Sequence, residues 1–173
     1  KLDVAIAEDI ERERWQKFIF LTAMAGATSA LRSSIGPIVA DPELRAFFRQ
    51  LMQEAFAIGK AKGVALDPAY LESRMDFVLN KVEPGMKASM AHDLERGNPL
   101  EVEFLSGAVA RLGQEAGVPT PVHSFIAAAL KLHHATLGAD GKFAKPDEII
   151  NCADEPDHDG VCAREQAVFL TAI

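Results

Sequence analysis

Three times in this sequence an aspartate or threonine stands directly before a proline, and each time an apolar stripe with helical spacing follows. The pairs are Asp41-Pro42, Asp67-Pro68 and Thr120-Pro121. Such a side chain can accept from the free N–H groups of a helix's first turn. Proline suits the first helical position, because the N–H it lacks would have no partner there. After Asp41, residues Leu44, Phe47, Phe48, Leu51, Ala55 and Ile58 fall on one helical face. After Asp67 the stripe is Leu71, Met75, Val78 and Leu79; after Thr120 it is Phe125, Ile126, Ala129 and Leu130. The period-two alternation of a half-buried strand is almost absent. A chain punctuated in this way has to fold by packing helix on helix.

The remaining signals extend the pattern. Asp9 can cap a helix running to about Leu31, which Ser33-Ser34-Ile35-Gly36-Pro37 should break. Gly63 can close the helix that starts at Pro42, and Glu83-Pro84-Gly85 reads as a break. A short helix is expected from Ala88 to Arg96, then a Gly97-Asn98-Pro99 turn. Asn98 would cap the next helix, with Pro99 at its first position and Glu101 three residues after the cap, and that helix would run to Ala116 before Gly117. At least five helices with short connections predict an all-α, bundle-like domain over residues 1–137. Phe18, Phe47, Phe48, Leu51, Leu105 and Phe125 are its expected core. Beyond Leu137 the texture turns acidic and glycine-rich, and residues 138–173 read as a separate tail.

Charge and cysteine usage exclude several classes of function. The formal net charge is −7, which argues against nucleic acid or an anionic membrane as partner. The uncharged run from Phe18 to Leu31 is shorter than the roughly 20 apolar residues of a membrane span. No signal peptide is visible, and Cys152 and Cys162 are the only cysteines, so a reducing cytoplasm is expected. Neither G-x-G-x-x-G nor a Walker sequence occurs, so no cofactor-binding residue is expected in this chain. Cys152, His158 and Cys162 lack a standard zinc spacing. The stretch from Glu155 to Gln166 fails the calcium-loop pattern at both ends, so no metal site is expected.

Few residues stand out chemically. Lys17 is the only charged residue between Arg14 and Arg32. It is either a lysine that snorkels to water or a partly desolvated general acid at a cleft. Glu101 is explained by its helix-start spacing, although the same place lets it face a ligand. Ser89 and the adjacent His133 and His134 carry little signal alone, and His123 reads as structural or exposed.

The ordered run "KASMAHDLERGNPLEVEFLSGAVARLGQEAGVPTP" resembles the signature of the C-terminal domain of ketopantoate reductases (2-dehydropantoate 2-reductases). The matching residues are Ser89, Asp93, Gly97, Glu101, Gly107, Gly117, Pro119 and Pro121. "DIERERWQKFIF" is similar to the family's opening helix, whose Trp-x-Lys pattern falls on Trp15 and Lys17. The resemblance spans about Ile10 to Leu132. It implies a helical domain of the 6-phosphogluconate dehydrogenase C-terminal type, which binds substrate and dimerises. It implies NADPH-dependent reduction of a 2-keto acid in pantothenate biosynthesis, with Lys17 as catalytic acid. Ser89 and Glu101 would hold the carboxylate and hydroxy ends of the substrate. Those three side chains would then share one concave surface, Lys17 and Glu101 on the order of 10 Å apart. The NADP-binding Rossmann domain of the family would precede Lys1 and is expected to be missing from this chain. Where the family carries asparagines this sequence has Leu21, Ala25 and Met86, which implies a less polar pocket. The alternatives are a helical interaction module without catalysis and a reductase of a different 2-keto acid.

Overall fold

The computed structural model describes residues 8–133 and the short segments 136–137 and 143–144. The described residues form seven α-helices: α1 (Ile10–Ala30), α2 (Ile35–Ala40), α3 (Pro42–Ala61), α4 (Ala69–Asn80), α5 (Ser89–Arg96), α6 (Ser106–Ala116) and α7 (Pro121–Ala129). One 3-10 turn, Val102–Phe104, lies between α5 and α6, and a second, Lys131–His133, follows α7. The only extended pairing among the described residues is a two-residue antiparallel ladder, Thr136 against Ala144 and Leu137 against Phe143. The all-α class is therefore correct. Cys152, His158 and Cys162, at which no metal site is expected, lie outside the described residues.

Helix α1 is the axis of the domain. Every residue from Thr22 to Ser29 is buried, which is how a helix apolar or small on nearly all sides has to sit. It packs most extensively on α3 and also touches α2, α5, α6 and α7. Small residues make this possible. A Cβ added at Gly26 would stand 3.2 Å from Ile126 Cδ1 and 3.4 Å from Ser106 Oγ, so the missing side chain lets α7 and α6 approach. The buried hydroxyls are satisfied within the helix: Thr22 Oγ1 donates to the Phe18 carbonyl at 2.8 Å and Thr28 Oγ1 to that of Met24 at 2.7 Å. Phe18, Phe48 and Leu51 are core residues as expected. Each large side chain of this kind contributes about 1.5–3 kcal/mol through burial.

Three expected core residues are placed differently. Phe47 and Leu105 are half-buried against the core, and Phe125 is 67% exposed. Residues 125 and 126 are neighbours on α7, and of the two Ile126 takes the core-facing position, so Phe125 points outward. Leu79 is likewise exposed because Val78 takes the buried place.

Two breaks also differ from the sequence reading. The interruption after α1 is confined to residues 31–34, and Ile35-Gly36-Pro37 begins α2. The Ile35 N–H donates to the Met86 carbonyl and the Gly36 N–H to that of Pro84, both at 2.9 Å. A Cβ on Gly36 would meet Pro84 backbone at 2.8 Å, so glycine is needed for this contact. The contact fixes the loop that leads into α5. The second difference concerns the stretch after α5. Asn98 does not cap a following helix: its side chain and its N–H both donate back to Asp93, closing α5, with Gly97 in the left-handed region at φ 70°. Pro99 to Leu105 then run through a turn, and α6 begins at Ser106 instead of Pro99.

Candidate functional site

The Trp-x-Lys pattern near the start of α1 has a simple geometric effect. Residues two apart on a helix point to nearly opposite sides. Trp15 lies over Gly59 of α3, where an added Cβ would be 3.1 Å from the indole, and meets Phe18 edge-on at 5.6 Å. With Trp15 turned inward, Lys17 is held on the exposed side.

Lys17 lines an open groove of ≈ 680 Å³ between α1 and α4. Phe20 and Leu21 of α1 and Tyr70, Ser73 and Arg74 of α4 complete its central wall. This volume is in the range of small-molecule sites. Tyr70 anchors α4 at this point, since its hydroxyl donates to the Gln16 carbonyl beside Lys17. Burial pushes the Tyr70 phenol above its usual range, with Arg74 opposing, so it remains a donor at neutral pH. The Arg74 guanidinium rests on two rings, 5.5 Å from the Tyr70 centroid and 5.0 Å from that of Phe77. Its Nε is buried without a hydrogen-bond partner among the described residues. Neither Tyr70 nor Arg74 was singled out by sequence reasoning. The available signal was modest: the chain's one tyrosine stands four residues before an arginine, on the polar side of an amphipathic helix.

Ser89 and Glu101 do not line this groove. Ser89 is the exposed first residue of α5. Its neighbour Ala88 donates its N–H to Thr28 Oγ1 at 3.3 Å, so α5 meets α1 three turns beyond Lys17, roughly 16 Å at 1.5 Å per residue. Leu21 and Met86, 44% and 45% exposed, leave apolar surface on the Lys17 and Ser89 sides, whereas Ala25 is buried in the core. Glu101 is exposed and precedes a 3-10 turn, with the Phe104 N–H donating to its carbonyl at 3.0 Å. The expected helix N-terminus at Glu101 is absent because α6 starts later. Leu100 ties this turn to the end of the helical region by donating to the His133 carbonyl at 2.6 Å.

His123 is structural and wholly buried. The Leu51 carbonyl can only accept, so the neutral ring carries its proton on Nε2, 3.1 Å away, and Nδ1 accepts from Ser106 Oγ at 3.2 Å. Burial lowers its pKa to about 4. Glu54 of α3, also buried, accepts from the N–H groups of Val122 and His123 at 2.9 and 3.0 Å. It thus does the capping expected of Thr120, whose side chain makes no cap bond. The network clamps α7 to α3 and α6 beneath Gly26. Among the described residues no three His, Cys, Asp or Glu side chains gather as a metal would require. No helix is long and apolar enough to cross a membrane there.

Comparison with known proteins bears on this geometry. Residues 9–134 match the family model described as "Ketopantoate reductase PanE/ApbA C terminal". A 2-dehydropantoate 2-reductase of Mesorhizobium japonicum is 34% identical over 130 residues, covering 75% of this chain and 39% of that protein. An uncharacterized oxidoreductase of Bacillus subtilis, YkpB, is 30% identical over 135 residues, covering 78% of this chain and 44% of its own length. In structure, a dimeric ketopantoate reductase of Staphylococcus aureus superposes with a TM-score of 0.69 at 24% identity, over 76% of this chain and 46% of that one. The chain spans under half the length of these relatives.

Proposed function

We infer that this chain, which belongs to the ketopantoate reductase family through its C-terminal domain, is the substrate-binding part of a reductase that converts a 2-keto acid to a 2-hydroxy acid. The observation that carries the reading is the place of Lys17. It stands at the edge of a ligand-sized groove, held outward by the inward packing of Trp15, and makes no hydrogen bond or ion pair among the described residues. An ammonium so placed donates a hydrogen bond to the substrate's ketone oxygen. It then gives up its proton as hydride adds to the carbon and the carbonyl electron pair moves onto oxygen. Ser89 and Glu101 are the proposed contacts to the substrate's other polar groups.

The described residues do not fit a nicotinamide nucleotide themselves. No strand, glycine-rich turn and helix follow one another among them, so they form no cradle for a pyrophosphate. We assign the hydride donor, NADP, to a Rossmann domain elsewhere in a protein of its relatives' length. The working form is proposed to be a cytoplasmic homodimer. Ketopantoate is the substrate that the family name suggests. The exposed Leu21 and Met86 favour a second reading, a less polar 2-keto acid.

The test is catalytic. A protein carrying this chain and a cofactor domain should oxidise NADPH with ketopantoate or with a branched 2-keto acid lacking the hydroxyl, and the better of the two identifies the substrate. Turnover of neither, with NADPH bound, would refute the reading.

A further inference from the structure

The groove beside Lys17 holds a second cation that the family resemblance does not account for. Arg74 projects from α4 into the space that Lys17 borders from α1. It makes no hydrogen bond or ion pair with any described residue. Glu13 is the one carboxylate on the lining, and it faces Arg12 at 3.8 Å. The groove therefore carries two positive side chains against one carboxylate, Glu13, which also has Arg12 beside it. The groove between α2 and α4 shows the contrast. Its cation, Arg45, is spent on the carbonyls of Val39 and Ala40 at 2.6 and 3.2 Å.

Arg74 is also held in place. Its plane is supported by Tyr70 and Phe77, and Phe77 meets Phe20 edge-on at 6.1 Å. Tyr70 in turn is tied to the α1 backbone next to Lys17. A guanidinium fixed by rings loses little freedom on binding, and its planar fork matches a carboxylate. In a 2-keto acid the carboxylate is on the carbon next to the ketone. A group that binds it has to sit in the same groove as the acid that serves the ketone oxygen, and Arg74 does.

We propose that Arg74 is the carboxylate anchor of this site: it receives the carboxylate of the 2-keto acid while Lys17 addresses the ketone oxygen. The substrate's side chain then lies along Phe20 and Leu21. The proposal rests on the reductase reading and adds to it a residue that selects anionic substrates. Arg74 thereby takes the carboxylate role that the resemblance implies for Ser89, which does not line this groove.

Calorimetric titration of the 173-residue chain with a branched 2-keto acid, and with the corresponding neutral 2-keto amide, tests it directly. Arg74→Gln should weaken the acid about tenfold to a hundredfold, the usual effect of losing a charge-assisted partner, and leave the amide unchanged. Arg74→Lys should recover part of the loss. Equal weakening of acid and amide, or no weakening of either, would overturn the proposal. Turnover in the protein that also carries the cofactor domain separates the two claims. Carboxylate binding that depends on Arg74, without reduction, sinks the reductase reading and keeps the anchor. Reduction that is indifferent to Arg74→Gln keeps the reading and sinks the anchor.

Discussion

Lowering the pH should unlock the domain through His123. Its ring is fully buried, with Nε2–H on the Leu51 carbonyl and Nδ1 on the Ser106 hydroxyl, and both contacts suit the neutral form. The folded pKa of about 4 lies below the ordinary 6.5 because burial penalises the imidazolium. The unfolded chain therefore takes up this proton first. The stabilisation is complete above pH 6.5 and is lost as the pH falls toward 4. A separation of about 2.5 units, at 1.36 kcal/mol each, makes the loss roughly 3 kcal/mol. Urea unfolding between pH 7.5 and 4 reads it, compared with His123→Leu. The variant loses the two hydrogen bonds at every pH, which is a constant offset, but it cannot lose stability by protonation at this position. The difference between the two proteins should shrink by about 3 kcal/mol across the window. Parallel curves would refute the argument, because the exposed acids titrate equally in both.

Other contacts give independent expectations. Gly36→Ala places a methyl 2.6 Å from Pro84 Cβ and 2.8 Å from its carbonyl oxygen, so the 84–88 loop has to move. The cost should be about 2–4 kcal/mol in urea unfolding, and a change under about 0.5 kcal/mol would sink the packing argument. Glu54→Ala strands the N–H groups of Val122 and His123 and should cost about 2–4 kcal/mol, with faster amide exchange confined to the start of α7. Unchanged exchange there would show that Glu54 does not cap the helix. Tyr70→Phe removes the bond to the Gln16 carbonyl and should cost about 1 kcal/mol, with a local effect on α4 seen by the same exchange measurement.

How much of this was legible in the sequence depended on whether the cause was local. Asp9 and Asp41 accept from first-turn N–H groups as their spacing implies, and Gly97 and Gly117 close helices in the left-handed region. Those signals act within a few residues, so a sequence displays them. Ile35-Gly36-Pro37 read as a break because glycine and proline together disfavour a helix. Its N–H groups are instead satisfied by the 84–86 loop, a partner nearly fifty residues away. The Glu101 spacing imitates a capping box, but Asn98 turns back to Asp93 and the next helix starts late. Glu54 looked like one more charged residue on α3, and only the tertiary fold shows which N–H groups it meets. The site followed the same division. Lys17 was conspicuous because its helix is otherwise uncharged there, whereas Arg74 becomes notable only when α4 is laid beside α1.

The central claim is that Lys17 supplies the proton and the hydrogen bond that the ketone oxygen needs. The most direct measurement is the steady-state rate of Lys17→Ala in a protein that joins this chain to its cofactor domain, with NADPH and the preferred 2-keto acid. Because the contact strengthens as the alkoxide forms, kcat should fall about a hundredfold or more while KM changes little. A kcat within about threefold of the parent protein, with correct folding, would contradict the assignment of Lys17 as the catalytic acid.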